Sequence, residues 1–157
     1  MRVRDVMNTP PRAVAPDDTL HKATREMWDH ACGAVAVVSE TGRVVGILTD
    51  RDVCLAAMIQ EDTLENLTVA SAMSPVVQTC SVDDGLRAAE DLMRKHHVRR
   101  LPVLGDDGVL VGMLSIDDLA VVAALHKDQH EAGLTPDDIA LTLAAVAAPR
   151  AQADATR

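Results

Sequence analysis

Val45-Gly46-Ile47-Leu48-Thr49-Asp50-Arg51-Asp52 returns later in the chain as Val111-Gly112-Met113-Leu114-Ser115-Ile116-Asp117-Asp118, residue n matching residue n + 66. Outward from this stretch the match runs without a gap, residues 7–57 against residues 73–123. Exchanges stay within a chemical class: Ile47 with Met113, Thr49 with Ser115, Val53 with Leu119. Two copies of one unit, each too short to bury a good core alone, imply half-domains that complete each other.

Each copy reads as β-α-β-β-α. An extended segment (12–15, 77–81) follows Met7-Asn8-Thr9-Pro10 or Met73-Ser74-Pro75. Asp17-Asp18 and Asp83-Asp84 then offer N-cap chemistry. Leu20, Ala23 and Met27, matched by Leu86, Ala89 and Met93, have the spacing of one buried helical stripe. Two strands follow in each copy (34–38 and 44–48; 101–104 and 109–114), joined by loops ending in Gly42 and Gly108, where a tight hairpin needs positive φ. A second helix starts near Asp52 and near Asp118. Residues 60–70 read as a polar linker, and Thr135-Pro136-Asp137-Asp138 as the start of a short C-terminal helix. From Pro149 the composition suggests a disordered tail.

The chain has 157 residues, no Phe or Tyr, and one Trp (Trp28), so the core is built from Val, Leu, Ile, Ala and Met. A net charge of −9 argues against nucleic-acid binding, which needs a basic surface. Cys32, Cys54 and Cys80 have no C-x-x-C spacing and read as free thiols of a reducing cytosol. The N-terminal residues lack a signal-peptide core, and no apolar run is long enough to span a bilayer. The expectation is a soluble, cytoplasmic protein. No catalytic motif stands out, which points away from an enzyme.

Read alone, [Thr/Ser]-x-x-Asp at a helix start is a capping box, found in many folds. The ordered combination is more specific. The tandem unit, the Met-and-Pro segments, His97-Val98-Arg99-Arg100-Leu101-Pro102-Val103 and the paired Gly-x-x-[Thr/Ser]-x-x-Asp together resemble the cystathionine-β-synthase (CBS) domain family over residues 1–125. Two such domains form a Bateman module. The resemblance implies an α/β (α+β) fold in which residues 1–59 and 71–125 are the two repeats, packed by pseudo-two-fold symmetry. Residues 60–70 would link them, and residues 126–157 would form a helical extension and tail.

It also implies two clefts for an adenine nucleotide or related adenosyl ligand (AMP, ADP, ATP, S-adenosylmethionine or NAD). In that family the Asp binds the ribose diol, and the hydroxyl and helix N-terminus lie near phosphate. Each cleft takes this motif from one repeat and its opposite wall from the other. One would join Thr49 and Asp52 to Pro75, Val76, Val77, His97, Arg99 and Arg100. The other would join Ser115 and Asp118 to Thr9, Pro10, Arg12, Gly33 and Ala34. The basic cluster from Arg94 to Arg100 favours the first cleft for an anion, since guanidinium matches phosphate. Against this, Arg94 and Lys95 suit a solvated helix end, and either Arg99 or Arg100 could pair with an Asp.

The resulting expectation is a non-catalytic sensor that needs no cofactor, binds an adenosyl ligand between its repeats and signals to an unknown effector protein. The family's dimers pack through helices, and Trp28 is assigned to that homodimer interface, a core position being the alternative. A ligand-free stress-response adaptor is the main rival. A metal or redox sensor is the third reading, with His126 and His130 four residues apart and Cys32 and Cys80 near the junction. Transition-metal sites need more ligands than those two histidines supply, and buried structural thiols are the simpler reading of the cysteines.

Overall fold

Two copies of the same unit stand in the computed structural model, which describes residues 1–126 and 133–148. The first comprises β1 (Ala13–Val14), α1 (Leu20–Asp29), β2 (Ala34–Val38), β3 (Val44–Thr49) and α2 (Asp50–Gln60). The second comprises β4 (Cys80–Ser81), α3 (Leu86–His96), β5 (Arg100–Leu104), β6 (Leu110–Ser115) and α4 (Ile116–Leu125). Each forms a three-stranded sheet, ordered β1-β2-β3 and β4-β5-β6, whose first pair is parallel and second antiparallel. This is the α+β architecture expected from the repeat.

The local chemistry explains these elements. Leu20, Ala23 and Met27 are buried along α1, as Leu86, Ala89 and Met93 are along α3. Gly42 and Gly108 turn their hairpins at φ 75°, a conformation that favours glycine. One expectation fails. Asp18 and Asp84 do not cap α1 and α3; each carboxylate accepts a 2.8 Å hydrogen bond from the backbone N–H three residues earlier, at Ala15 and Ser81. Short carboxylates readily satisfy such nearby backbone donors in place of a cap. Thr19 caps α1 instead, and Gly85 stands at the N-cap of α3.

The two cores exchange their first pieces. Val3, in a 3-10 turn ahead of the first unit, is buried with Leu86, Met93, Leu101 and Leu114 of the second. Val69, in the equivalent turn, is buried with Leu20, Met27 and Leu48 of the first. Matching backbone bonds hold both turns: Val3 N–H donates to the Asp84 carbonyl at 2.9 Å, and Val69 N–H to the Asp18 carbonyl at 2.8 Å. Residues 60–70, read as a polar linker, carry Leu64 and Leu67 onto the first core as well.

The C-terminal helix α5 (Pro136–Ala147) starts as the sequence predicts, with Thr135 as N-cap and Pro136 in the first turn. It packs on α3 and α4. Ile139 is buried in the second core, and polar contacts add to it: the Thr142 hydroxyl donates to the fully buried Glu90 carboxylate, and Arg87 Nη1 pairs with Asp138 at 2.7 Å. His97 Nδ1 lies 2.7 Å from the Ala145 carbonyl, one of the last acceptors that a helix leaves unsatisfied. His130 and the tail from Pro149 lie outside the described residues. Among the described residues, no helix is long and apolar enough to cross a membrane.

Candidate functional site

Both Gly-x-x-[Thr/Ser]-x-x-Asp motifs end a strand and start a helix. Asp52 Oδ2 accepts from the Thr49 N–H at 2.9 Å and hydroxyl at 2.6 Å. Asp118 Oδ2 accepts from the Ser115 N–H at 2.8 Å and hydroxyl at 2.6 Å. These are complete capping boxes, and they use one oxygen of each carboxylate. Among the described residues, Oδ1 of Asp52 has no hydrogen bond.

The opposite wall of each cleft comes from the other copy. Asn8 N–H donates to the Met113 carbonyl at 2.8 Å, and Met113 N–H to the Asn8 carbonyl at 3.1 Å. Ser74 and Ile47 make the same exchange at 2.9 and 3.0 Å. These bridges lay the Met-and-Pro segments along β6 and β3, two residues short of the caps. The glycines allow the approach. A Cβ on Gly112 would sit 2.6 Å from Met7 Sδ, and one on Gly46 would sit 2.5 Å from Met73 Sδ.

A cavity of about 470 Å³ opens beside Ser115 and Asp118. Thr9, Pro10, Arg12, Gly33 and Ala34 line it, so every residue expected in the second cleft meets there. Sequence reasoning missed others. Asn8 Nδ2 lies 2.9 Å from both Asp118 oxygens, and His30 and Asp117 also line the wall. Asn8 is the residue after the motif Met, where the first cleft has Ser74; a polar residue in both copies was the available signal.

Arg100 was expected with Thr49 and Asp52, yet it lines this second cavity. Its Nη2 lies 3.5 Å from where a Gly33 Cβ would stand, so the missing side chain leaves room for the guanidinium. Arg12 and Arg100, without ion pairs among the described residues, thus line the same cavity as the Asp118 cap.

The residues expected in the first cleft are less gathered. Pro75 and Val76 are exposed, and Val77 is half-buried. His97 bonds to α5, and Arg99 is exposed. Arg99 stands in a bend ahead of β5, whereas Arg100 opens the strand and lines the second cavity. Among the described residues, no cluster of three His, Cys, Asp or Glu could hold a metal ion. Cys80 is buried, and burial, with the Asp84 charge second, pushes its thiol up to about 12. Cys32 is half-buried and Cys54 exposed.

The tandem unit and its crossed clefts define a paired α+β module. The CBS domain model matches residues 3–58 and 69–124, and the chain belongs to the CBS-domain family as a CBS pair. The CBS domain-containing protein YhcV of Bacillus subtilis is 37% identical over 119 residues, which are 76% of this chain and 83% of that one. A putative signal-transduction protein with CBS domains from Burkholderia ambifaria is 29% identical, with a TM-score of 0.68 over 82% of this chain and 96% of that one. The CBS pair of protein MJ0100, solved with 5′-methylthioadenosine and S-adenosylmethionine, shares the fold at a TM-score of 0.70. It is 24% identical, over 78% of this chain and 94% of that one.

Proposed function

We propose that this CBS pair is a non-catalytic regulatory module that binds an adenine nucleotide in the Ser115–Asp118 cleft. It acts as a cytoplasmic homodimer and signals to an effector protein. One observation carries the ligand reading: Arg12 and Arg100, free of ion pairs among the described residues, share a cavity with the capped Asp118. Asp118 Oδ1 keeps acceptor capacity for a ribose hydroxyl, and two guanidinium groups suit phosphate. The ligands of MJ0100 support an adenosyl group in this fold. The cations here favour AMP, ADP or ATP over the sulfonium of S-adenosylmethionine. The cavity draws Arg12 and Gly33 from one copy and Arg100 and Asp118 from the other, so a ligand would favour one arrangement of the halves.

Isothermal titration calorimetry with AMP, ADP, ATP, S-adenosylmethionine and NAD tests this. A phosphorylated ligand should bind. Arg100→Ala should weaken it by about 2 kcal/mol, roughly thirtyfold, as expected for a charged hydrogen bond. Asp118→Ala should also weaken it, and Asp52→Ala should not. No heat with any ligand would favour the ligand-free adaptor. Loss in Asp52→Ala with retention in Asp118→Ala would move the site to the first cleft.

A further inference from the structure

The two capped carboxylates differ as acceptors. A carboxylate offers about four lone-pair sites, two on each oxygen. At Asp52 the Thr49 N–H and hydroxyl take up Oδ2, and Oδ1 meets no donor among the described residues. Both sites on that oxygen are open to a pair of hydroxyls. At Asp118 the Ser115 N–H and hydroxyl likewise take up Oδ2, but the Asn8 amide is there too, with Nδ2 2.9 Å from Oδ1 and 2.9 Å from Oδ2. One site on Oδ1 then remains.

The difference comes from one exchange in the repeat. The n + 66 counterpart of Asn8 is Ser74. The serine does not copy the contact: its hydroxyl lies 3.5 Å from the Val76 carbonyl, and no hydrogen bond joins it to Asp52 among the described residues. The backbones, by contrast, match. Asn8 is tied to Met113 through both its N–H and its carbonyl, as Ser74 is to Ile47, so a fixed main chain carries the amide to the carboxylate. Asn8 also lines the cavity that holds Arg12 and Arg100.

We infer that Asn8 sets how many ribose hydroxyls the Ser115–Asp118 cleft recognises. With the amide in place, Asp118 accepts one hydroxyl and has no room for a diol. A diol enters only by displacing the amide, and the bond lost then offsets the bond gained. Nucleotides with a single free ribose hydroxyl therefore bind as readily as those with the diol. The assignment rests on the nucleotide site proposed above.

Isothermal titration calorimetry with ATP, 2′-deoxy-ATP and 3′-deoxy-ATP tests it on the native chain, Asn8→Ala and Asn8→Ser. Asn8 is exposed and its backbone bridge survives either change, so the fold tolerates both. In the native chain at least one deoxy nucleotide should match ATP to within about threefold, as expected when one bond is exchanged for another. In both variants ATP should outbind each deoxy nucleotide by about tenfold or more, because the second hydroxyl then meets an open charged acceptor. A purely structural role for Asn8 would move all three ligands alike and leave these ratios unchanged. Three results overturn the assignment while the nucleotide site stands: ATP outbinding both deoxy forms tenfold in the native chain, ratios unchanged in the variants, or variants that bind none of the three ligands when the native chain does. No binding of any of the three to the native chain or the variants overturns both.

Discussion

Replacing Gly112 by Ala probes the contact that shapes the second cleft. The new Cβ would stand 2.6 Å from Met7 Sδ, 3.1 Å from Met7 Cγ and 3.2 Å from the Asn8 carbonyl oxygen. The thioether can swing aside. The carbonyl cannot, because it accepts the Met113 N–H in the bridge between the halves. Overpacking of this kind costs about 1–3 kcal/mol. For a chain of this size each kcal/mol lowers Tm by about 2–4 °C, so thermal unfolding followed by circular dichroism should show a fall of about 2–12 °C. Gly46→Ala meets Met73 and the Ser74 carbonyl at nearly the same distances and should behave alike. The two sites share no partner, so the double substitution should show an additive loss. The Gly112 change also pushes Asn8, Thr9 and Pro10 away from Asp118, so it should weaken a ligand of that cleft. An unchanged Tm in both single variants would refute the view that these glycines seat the segments.

Two further outcomes concern single groups. Arg87, followed by the Thr135 hydroxyl and N–H, holds the Asp138 carboxyl down to about 2. A depressed carboxyl stabilises the fold above its ordinary value of 3.8 and loses that contribution as pH falls toward about 2. Arg87 is half-exposed, so solvent screening keeps the contribution of the pair small. The Tm gap between the native chain and Arg87→Ala should hold near neutral pH and close below about pH 4; a gap that persists at low pH contradicts the pairing. In thiol titration Cys54 should react fast and Cys32 slowly, with Cys80 silent until denaturant is added. Three equal rates in native buffer would show that Cys80 is not buried.

The repeat made the strand and helix order legible, because hydrophobic spacing and turn glycines are local signals. The caps at Thr49 and Ser115 were legible for the same reason. Which half receives a side chain is not local. Nothing in Val3 or Val69 says that each closes the other copy's core. Arg99-Arg100 looked like one cationic patch, but Arg99 stands exposed in a bend, and Arg100 lines the cavity beside Ser115 of its own copy. His97 read as part of a cleft until α5 took its ring. The helix start at Thr135-Pro136 was plain, whereas its seat on Glu90 depends on a pairing between residues far apart in the chain.

The exchanged turns give synthesis on the ribosome an order. The first half is closed by Val69, which follows directly behind the residues it joins, so that core can complete while the second half is still being made. Val3 emerges before everything it packs against. It stays unsheltered until Leu86, Leu101 and Leu114 have followed, and its docking finishes the second half. The first residue of this core to leave the tunnel is thus among the last to find its place.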